Sequence, residues 1–293
     1  MGVMYCNAVC QKKHWATHKK QCKLWAAELR DEALFKDPPP KEDCPICFLP
    51  MPINLVSCVS LPPATISSVP IHDFAEANEG SAAVGMEEYN PCCGKIICGG
   101  CIYSFCNSGT RKCPFCNTDR CSKTAEEMVD EVMYRVEAND PDSIYLLANS
   151  YHNGLNGIQQ DHAKAMKLYA RSAELGLSKA HCQLANINHK GGDMKKAKFH
   201  LEAAAMVGHE VARYSLGSME FNSGNMEQSI KHWTIAASAG YYKAMHTLIK
   251  QFERGNVSID LIDSTLTAYN NSCTEMRSKA RDAYIRDMIS ETF

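Results

Sequence analysis

Three short segments, Ala173–Gly176, Ala205–Gly208 and Ala237–Gly240, begin 32 residues apart. After each, the same offsets bring Ala180, Ala212 and Ala244, then Leu184, Leu216 and Leu248. Aromatic or apolar residues recur in register at Tyr169, Leu201 and Trp233. A period of this length means one supersecondary unit, repeated, whose apolar face is covered only by stacking on its neighbours. Each unit reads as two helices. In Val211–Asn222 the residues Ala212, Leu216 and Met219 share a face, and in Met226–Ala239 so do Ile230, Trp233 and Ala237. Gly208 and Gly240 stand where a helix end calls for positive φ, and Asp193 and Asn225 where an N-cap calls for a short acceptor.

A longer first unit, Asp142–Gly176, inserts "NGLNGIQQD" between its helices, and a last unit from Tyr242 runs on in a helical pattern through Met288. The segment "LLANSYHNGLNGIQQDHAKAMKLYARSAELGLSKA" resembles a Sel-one-like repeat, a relative of the tetratricopeptide repeats, over about residues 142–256. The resemblance implies a superhelical scaffold that binds a protein partner on its concave face, without naming that partner. Ahead of it, residues 122–140 carry a capping box, Thr124 and Glu127, and an apolar stripe of Met128, Val132, Met133 and Val136. We expect a connecting helix that closes the open end of the solenoid.

The cysteines are confined to the other end. Of 16, 14 lie in residues 1–121. "CPIC" (Cys44, Cys47), Cys98-x2-Cys101 and "CPFC" (Cys113, Cys116) are three pairs at metal-knuckle spacing, and Cys92 and Cys93 are adjacent. No apolar run is long enough for a membrane span, and the N-terminus lacks the apolar core of a signal peptide. We therefore expect a cytoplasmic or nuclear protein that is not secreted. In a reducing compartment dense cysteine pairs mean metal rather than disulfides, and tetrahedral Zn2+ takes four thiolate or imidazole ligands.

This series resembles a RING finger. The family interleaves its ligands, which implies one ion on Cys44, Cys47, Cys98 and Cys101, and Cys113 with Cys116 on a second. Where the family carries Cys-Gly-His, this chain has Cys93-Gly94-Lys95, and lysine cannot ligate zinc. The neighbouring Cys92 would take the histidine's place beside Cys93. Cys106, Cys58 and His72 are the other candidates, and Lys95 is placed to offset thiolate charge. The resemblance also implies ubiquitin ligase activity: a ubiquitin-conjugating enzyme contacts Ile46, the helix after Cys101, and Pro114. Tyr103 and Phe105 stand where a tryptophan is often found, and Asn117 where active members often carry arginine. The insertion, residues 49–91, has no assigned role.

"YCNAVCQKKHWATHKKQC" resembles the second half of a MYND finger, with Cys6, Cys10, His18 and Cys22 as ligands. The family's first half would precede it. Either these four close one further zinc site or they are the remnant of a larger one. "CKLWAAELRDEALFK" reads as an amphipathic helix, and Lys36–Asp43 as a stiff proline-rich linker.

The remaining features exclude more than they add. A formal net charge of −2 gives no general pull toward nucleic acid. Cys182 and Cys273 stand alone on helices and read as core residues. No nucleophile, phosphate loop or carboxylate pair sits in a catalytic context. The expected architecture is mainly α: a partial MYND-like finger and helix (1–36), a linker (37–43), a small zinc-stapled RING-like α+β module (44–121), a connecting helix (122–140) and an α-helical repeat solenoid (141–293). The expected function is a zinc-binding protein-interaction adaptor, either a RING-type ligase without a nucleophile of its own or a non-enzymatic scaffold.

Overall fold

The computed structural model describes residues 24–52, 87–119 and 122–290. The chain divides into two compact units, 1–38 and 39–293. In the first, residues 24–34 form helix α1. Its apolar residues Leu24, Trp25 and Leu29 are exposed and Leu34 is buried.

The second unit opens on the cysteine-rich finger. Strands β1 (Glu87–Asn90) and β2 (Lys95–Cys98) form an antiparallel hairpin, in register from Glu87↔Cys98 to Asn90↔Lys95. Helix α2 (Gly99–Asn107) follows directly. Helix α3 (Ala125–Glu137) starts at the Thr124–Glu127 capping box, in which each side chain bonds the other residue's backbone N–H. Val132 and Val136 of its apolar stripe join a core with Ile144 and Leu147, whereas Met128 and Met133 remain exposed.

The repeats form helix pairs: α4 (Pro141–Asn153) with α5 (His162–Glu174), α6 (Ser178–Lys190) with α7 (Met194–Met206), and α8 (Glu210–Asn222) with α9 (Met226–Ser238). Helices α10 (Tyr242–Glu253) and α11 (Ile259–Glu275) extend the array. The in-register residues are the ones that pack: Ala180, Ala212, Ala244, Leu184, Leu216, Leu248, Tyr169 and Trp233 are all buried. Gly176, Gly208 and Gly240 take φ of 93°, 91° and 95°, the left-handed conformation that ends each second helix. Asp193 caps α7, accepting from Lys196 N at 3.1 Å. Asn225 does not cap α9; its amide donates instead to Glu220 Oε2 at 2.7 Å. An unexpected residue, His209, caps α8 through Nδ1.

The largest departure lies at the C-terminus. The helical pattern from Tyr242 through Met288 comprises three helices, of which only the first two follow the array. Helix α11 stops at Glu275, and α12 (Lys279–Ser290) restarts where Ser278 Oγ accepts from Arg281 N at 3.2 Å. Helix α12 does not continue the array. It packs against α2 of the finger, while Ile285 joins the core of the last repeats with Trp233, Met245, Tyr269 and Met276. Side-chain periodicity was satisfied by either course; in the fold the helix lies between α2 and the end of the repeat core, and both cover its apolar side chains. Among the described residues no helix is long and apolar enough to cross a membrane.

Candidate metal centre

The finger is built from two turns of the same design. In the first, Cys44 N donates to Leu49 O (2.9 Å), Phe48 N donates to Cys44 O (2.9 Å), and Phe48 takes φ 54°. In the second, Cys113 N donates to Thr118 O (2.8 Å), Asn117 N donates to Cys113 O (3.0 Å), and Asn117 takes φ 60°. Each is flanked by an isolated bridge, Asp43↔Pro50 and Lys112↔Asp119. The positive φ just past the second cysteine curls the chain so that both sulfurs point to the same side. A third turn, Pro91–Gly94, joins β1 to β2 and carries Cys92 and Cys93, with Gly94 at φ 69°.

These turns gather eight thiols into two groups of four. Cys44, Cys47, Cys98 and Cys101 form one; Cys92, Cys93, Cys113 and Cys116 form the other. Within each group the sulfurs all lie within 4.8 Å of one another. Cys44 and Cys101 stand 3.9 Å apart, Cys47 and Cys98 3.8 Å, and Cys93 and Cys113 3.7 Å. Four ligands about 2.3 Å from a tetrahedral ion are about 3.8 Å from one another. The spacing therefore suits zinc, and is far too wide for a disulfide of about 2.0 Å. All eight are free thiols. Both clusters can coordinate a metal ion.

The electrostatics point the same way. Burial and the neighbouring thiols of its own group push Cys101 well above the usual thiol range. Burial, with Cys116 and Cys113 beside it, does the same to Cys92. Burial opposes ionisation of Cys44 as well, but backbone hydrogen bonds from Cys98, Cys47 and Ile46 bring it to about 7. Cys116 likewise reaches about 7 against burial, through Thr118. Each group thus pairs a readily ionised sulfur, Cys44 or Cys116, with one that resists, Cys101 or Cys92, and a divalent cation at the centre would remove that resistance.

The two groups differ in cover. In the first, three of four cysteines are buried; in the second only Cys113 is, and Cys116 is exposed. The finger's apolar core is small, with Ile97 fully buried among Cys44, Cys98 and Cys101 and Ile46, Met51 and Ile102 half-buried around it. Cys92 lies in the second group beside Cys93. Cys106 lies outside both, on a cavity of about 490 Å³ shared with β1, α3 and α4. Cys58 and His72, and the N-terminal set Cys6, Cys10, His18 and Cys22, fall outside the described residues. Ile46 and Pro114 are half-buried, and Phe48 and Phe115 beside them are exposed. Lys95 is exposed. The cation that does reach the thiols, Arg281, comes from the far end of the chain and no local spacing pointed to it.

The finger is fastened to the helices at several points. Tyr89 Oη donates to Asp140 at 2.5 Å, and Arg135 Nε to Pro91 O at 3.0 Å. Lys179 pairs with Glu87, and Lys41 pairs with Glu210 at 3.2 Å and donates to Ala239 O at 2.8 Å. In the repeats a groove of about 870 Å³ runs between α6, α7 and α8. Lys179, Lys195 and Lys198 line it together with Asn186, Met219 and Asn222; Lys179 is paired with Glu87 and Lys198 with Glu220.

Comparison with known proteins agrees with this division. The Sel1 repeat model matches residues 141–177, 178–209 and 211–241. The MYND finger model matches residues 1–22. The three helix pairs thus match Sel1 repeats, and the finger at 44–119 stands apart from both matches. No curated protein matches the chain. Among solved structures, the chain is similar to a protective antigen of uropathogenic Escherichia coli with an SLR fold. The identity is 18%, the match spans 66% of this chain and 43% of that one, and the TM-score is 0.42. It is also similar to a Sel1 repeat protein from Oxalobacter formigenes, at 21% identity, over 61% of this chain and 71% of that one, with a TM-score of 0.45.

Proposed function

We propose that the protein is a non-enzymatic interaction scaffold: a solenoid of Sel1 repeats that holds a partner protein, fastened to a finger stapled by two Zn2+ ions. The groove between α6, α7 and α8 carries this reading. Its volume suits a peptide segment, and Lys195, beside Lys179 and Lys198 that are already paired with Glu87 and Glu220, favours an acidic one. The partner's backbone would be held by amide side chains such as Asn186 and Asn222, and apolar anchors would meet Met219. A panel of acidic, neutral and basic peptides, with binding read by fluorescence anisotropy, tests this. Acidic peptides should bind best and should weaken on Lys195→Glu or Met219→Glu; equal binding by all three classes would rule it out.

One observation favours a second reading, ubiquitin ligase activity by proximity. The two cysteine turns carry half-buried Ile46 and Pro114 and exposed Phe48 and Phe115, apolar side chains of the kind a conjugating enzyme needs. In that reading the zinc is structural and no side chain acts as a nucleophile. Autoubiquitination with a panel of conjugating enzymes, comparing wild type with Ile46→Ala, separates the two. Chains lost in the variant support the ligase; none with any enzyme leaves the scaffold.

A further inference from the structure

Arg281 is one of the largest fully buried side chains, 1% exposed, and it is a cation. Burying a guanidinium is costly unless every donor finds an acceptor. Here all five do. Nε donates to Cys98 Sγ (3.4 Å) and Nη2 to Cys47 Sγ (3.5 Å). Nη2 also donates to Leu49 O (3.3 Å), and Nη1 to Pro50 O (2.8 Å) and Met276 O (2.7 Å). Two sulfurs of the first cluster and two carbonyls of its first turn are thus read by one side chain, 183 residues beyond Cys98. The approach of α12 is close. A Cβ at Gly100 would lie 2.6 Å from Arg281 N and 2.7 Å from its Cα, and one at Gly99 would lie 2.5 Å from the Tyr284 ring. Tyr103 of α2 donates to Asp287 and its ring meets Tyr284 at 6.0 Å.

We propose that Arg281 is a positioning residue for the first metal site and that α12 is a clamp closed by it. Four thiolates on Zn2+ carry two net negative charges, and the guanidinium cancels one of them while fixing the orientation of Cys47 and Cys98. The dependence runs both ways. Without the gathered thiolates the buried cation loses two acceptors, so α12 leaves α2 and takes the end of the repeat core with it. Among the described residues no guanidinium bonds a sulfur of the second cluster; Arg135 bonds the carbonyl of Pro91 there. This inference rests on the reading that the clusters hold zinc, and the metal content of the wild-type protein tests that reading by itself.

The experiment uses the full chain. Competition with a chromophoric chelator follows each ion, and hydrogen exchange follows the amides of α12. Arg281→Gln, which removes the charge, should weaken one of the two sites roughly 10- to 100-fold, as loss of an outer-sphere partner does, and spare the other. Arg281→Lys, which keeps the charge but not the fork, should fall between. Gly100→Ala, which touches no sulfur, should weaken the same site by displacing α12. In the wild type, stripping the metal should expose the Arg281–Ile285 amides to exchange. A folded Arg281→Gln with both sites unchanged would overturn the clamp. So would wild-type α12 amides equally protected with and without metal, a measurement that needs no variant. Wild type that binds no zinc would overturn the metal reading instead.

Discussion

The finger and the solenoid reach order by opposite means. Among the described residues of the finger, Ile97 is the only buried aliphatic side chain besides Pro52 and the cysteines, and three separate turns aim sulfurs. In the solenoid the last repeats alone bury Trp233, Met245, Leu248, Ile249, Ile262, Leu266, Tyr269 and Met276 in one cluster. Each such side chain contributes about 1.5–3 kcal/mol when fully buried. A segment with so little apolar area cannot offset its chain entropy by burial alone. Position by position, the finger therefore depends on a few polar atoms converging, and the repeats depend on many apolar contacts, each dispensable in part.

That contrast can be broken most decisively by removing metal. Structural zinc contributes on the order of 10 kcal/mol in small fingers. Chelation should abolish amide protection across 44–52 and 87–119 and leave the amides of α4 to α10 protected; a finger that stays protected would show that burial suffices after all. A smaller effect should run the other way. Leu216 is fully buried, and Leu216→Ala should cost about 2–5 kcal/mol in denaturant melts while the zinc content stays at the wild-type value.

Acid should reach the solenoid through His232. Burial first, and Arg213 second, lower its pKa to about 4 from the ordinary 6.5. The unfolded chain therefore takes up a proton between these values while the folded chain does not. The stability from the neutral ring is present above about pH 6.5 and is lost as pH falls toward 4, by up to about 3 kcal/mol. His232→Gln should flatten that part of the stability–pH curve; an unchanged slope would place the titration elsewhere. The smallest effect expected is at a cap. Asp193→Ala should cost about 1 kcal/mol, read as a lower melting temperature with no change in metal content.

Much of this was legible along the chain because the physics is local. The 32-residue period named the buried face of each repeat, since residues one turn apart on a helix face the same neighbour. The capping box at Thr124 and the glycines at 176, 208 and 240 were equally plain, as their requirements lie within a few residues. The grouping of Cys92 with Cys93 was legible for the same reason: adjacent residues on one turn can bring both thiols into one group. Asn225 misled because a cap and a contact with Glu220 ask for the same short amide. Met128 and Met133 misled because an apolar stripe says which face could be buried, not whether anything covers it.

From its residues alone the chain determined which segments are helical and which face of each repeat is covered, because spacing along a backbone of known geometry decides both; which distant thiols gather together was implied only by a family resemblance. Only the folded molecule decided that α12 turns back from the array onto α2, and that Arg281 lies on the sulfurs of Cys47 and Cys98. A buried cation needs five acceptors from residues 47 to 276, and no local pattern encodes acceptors that far apart.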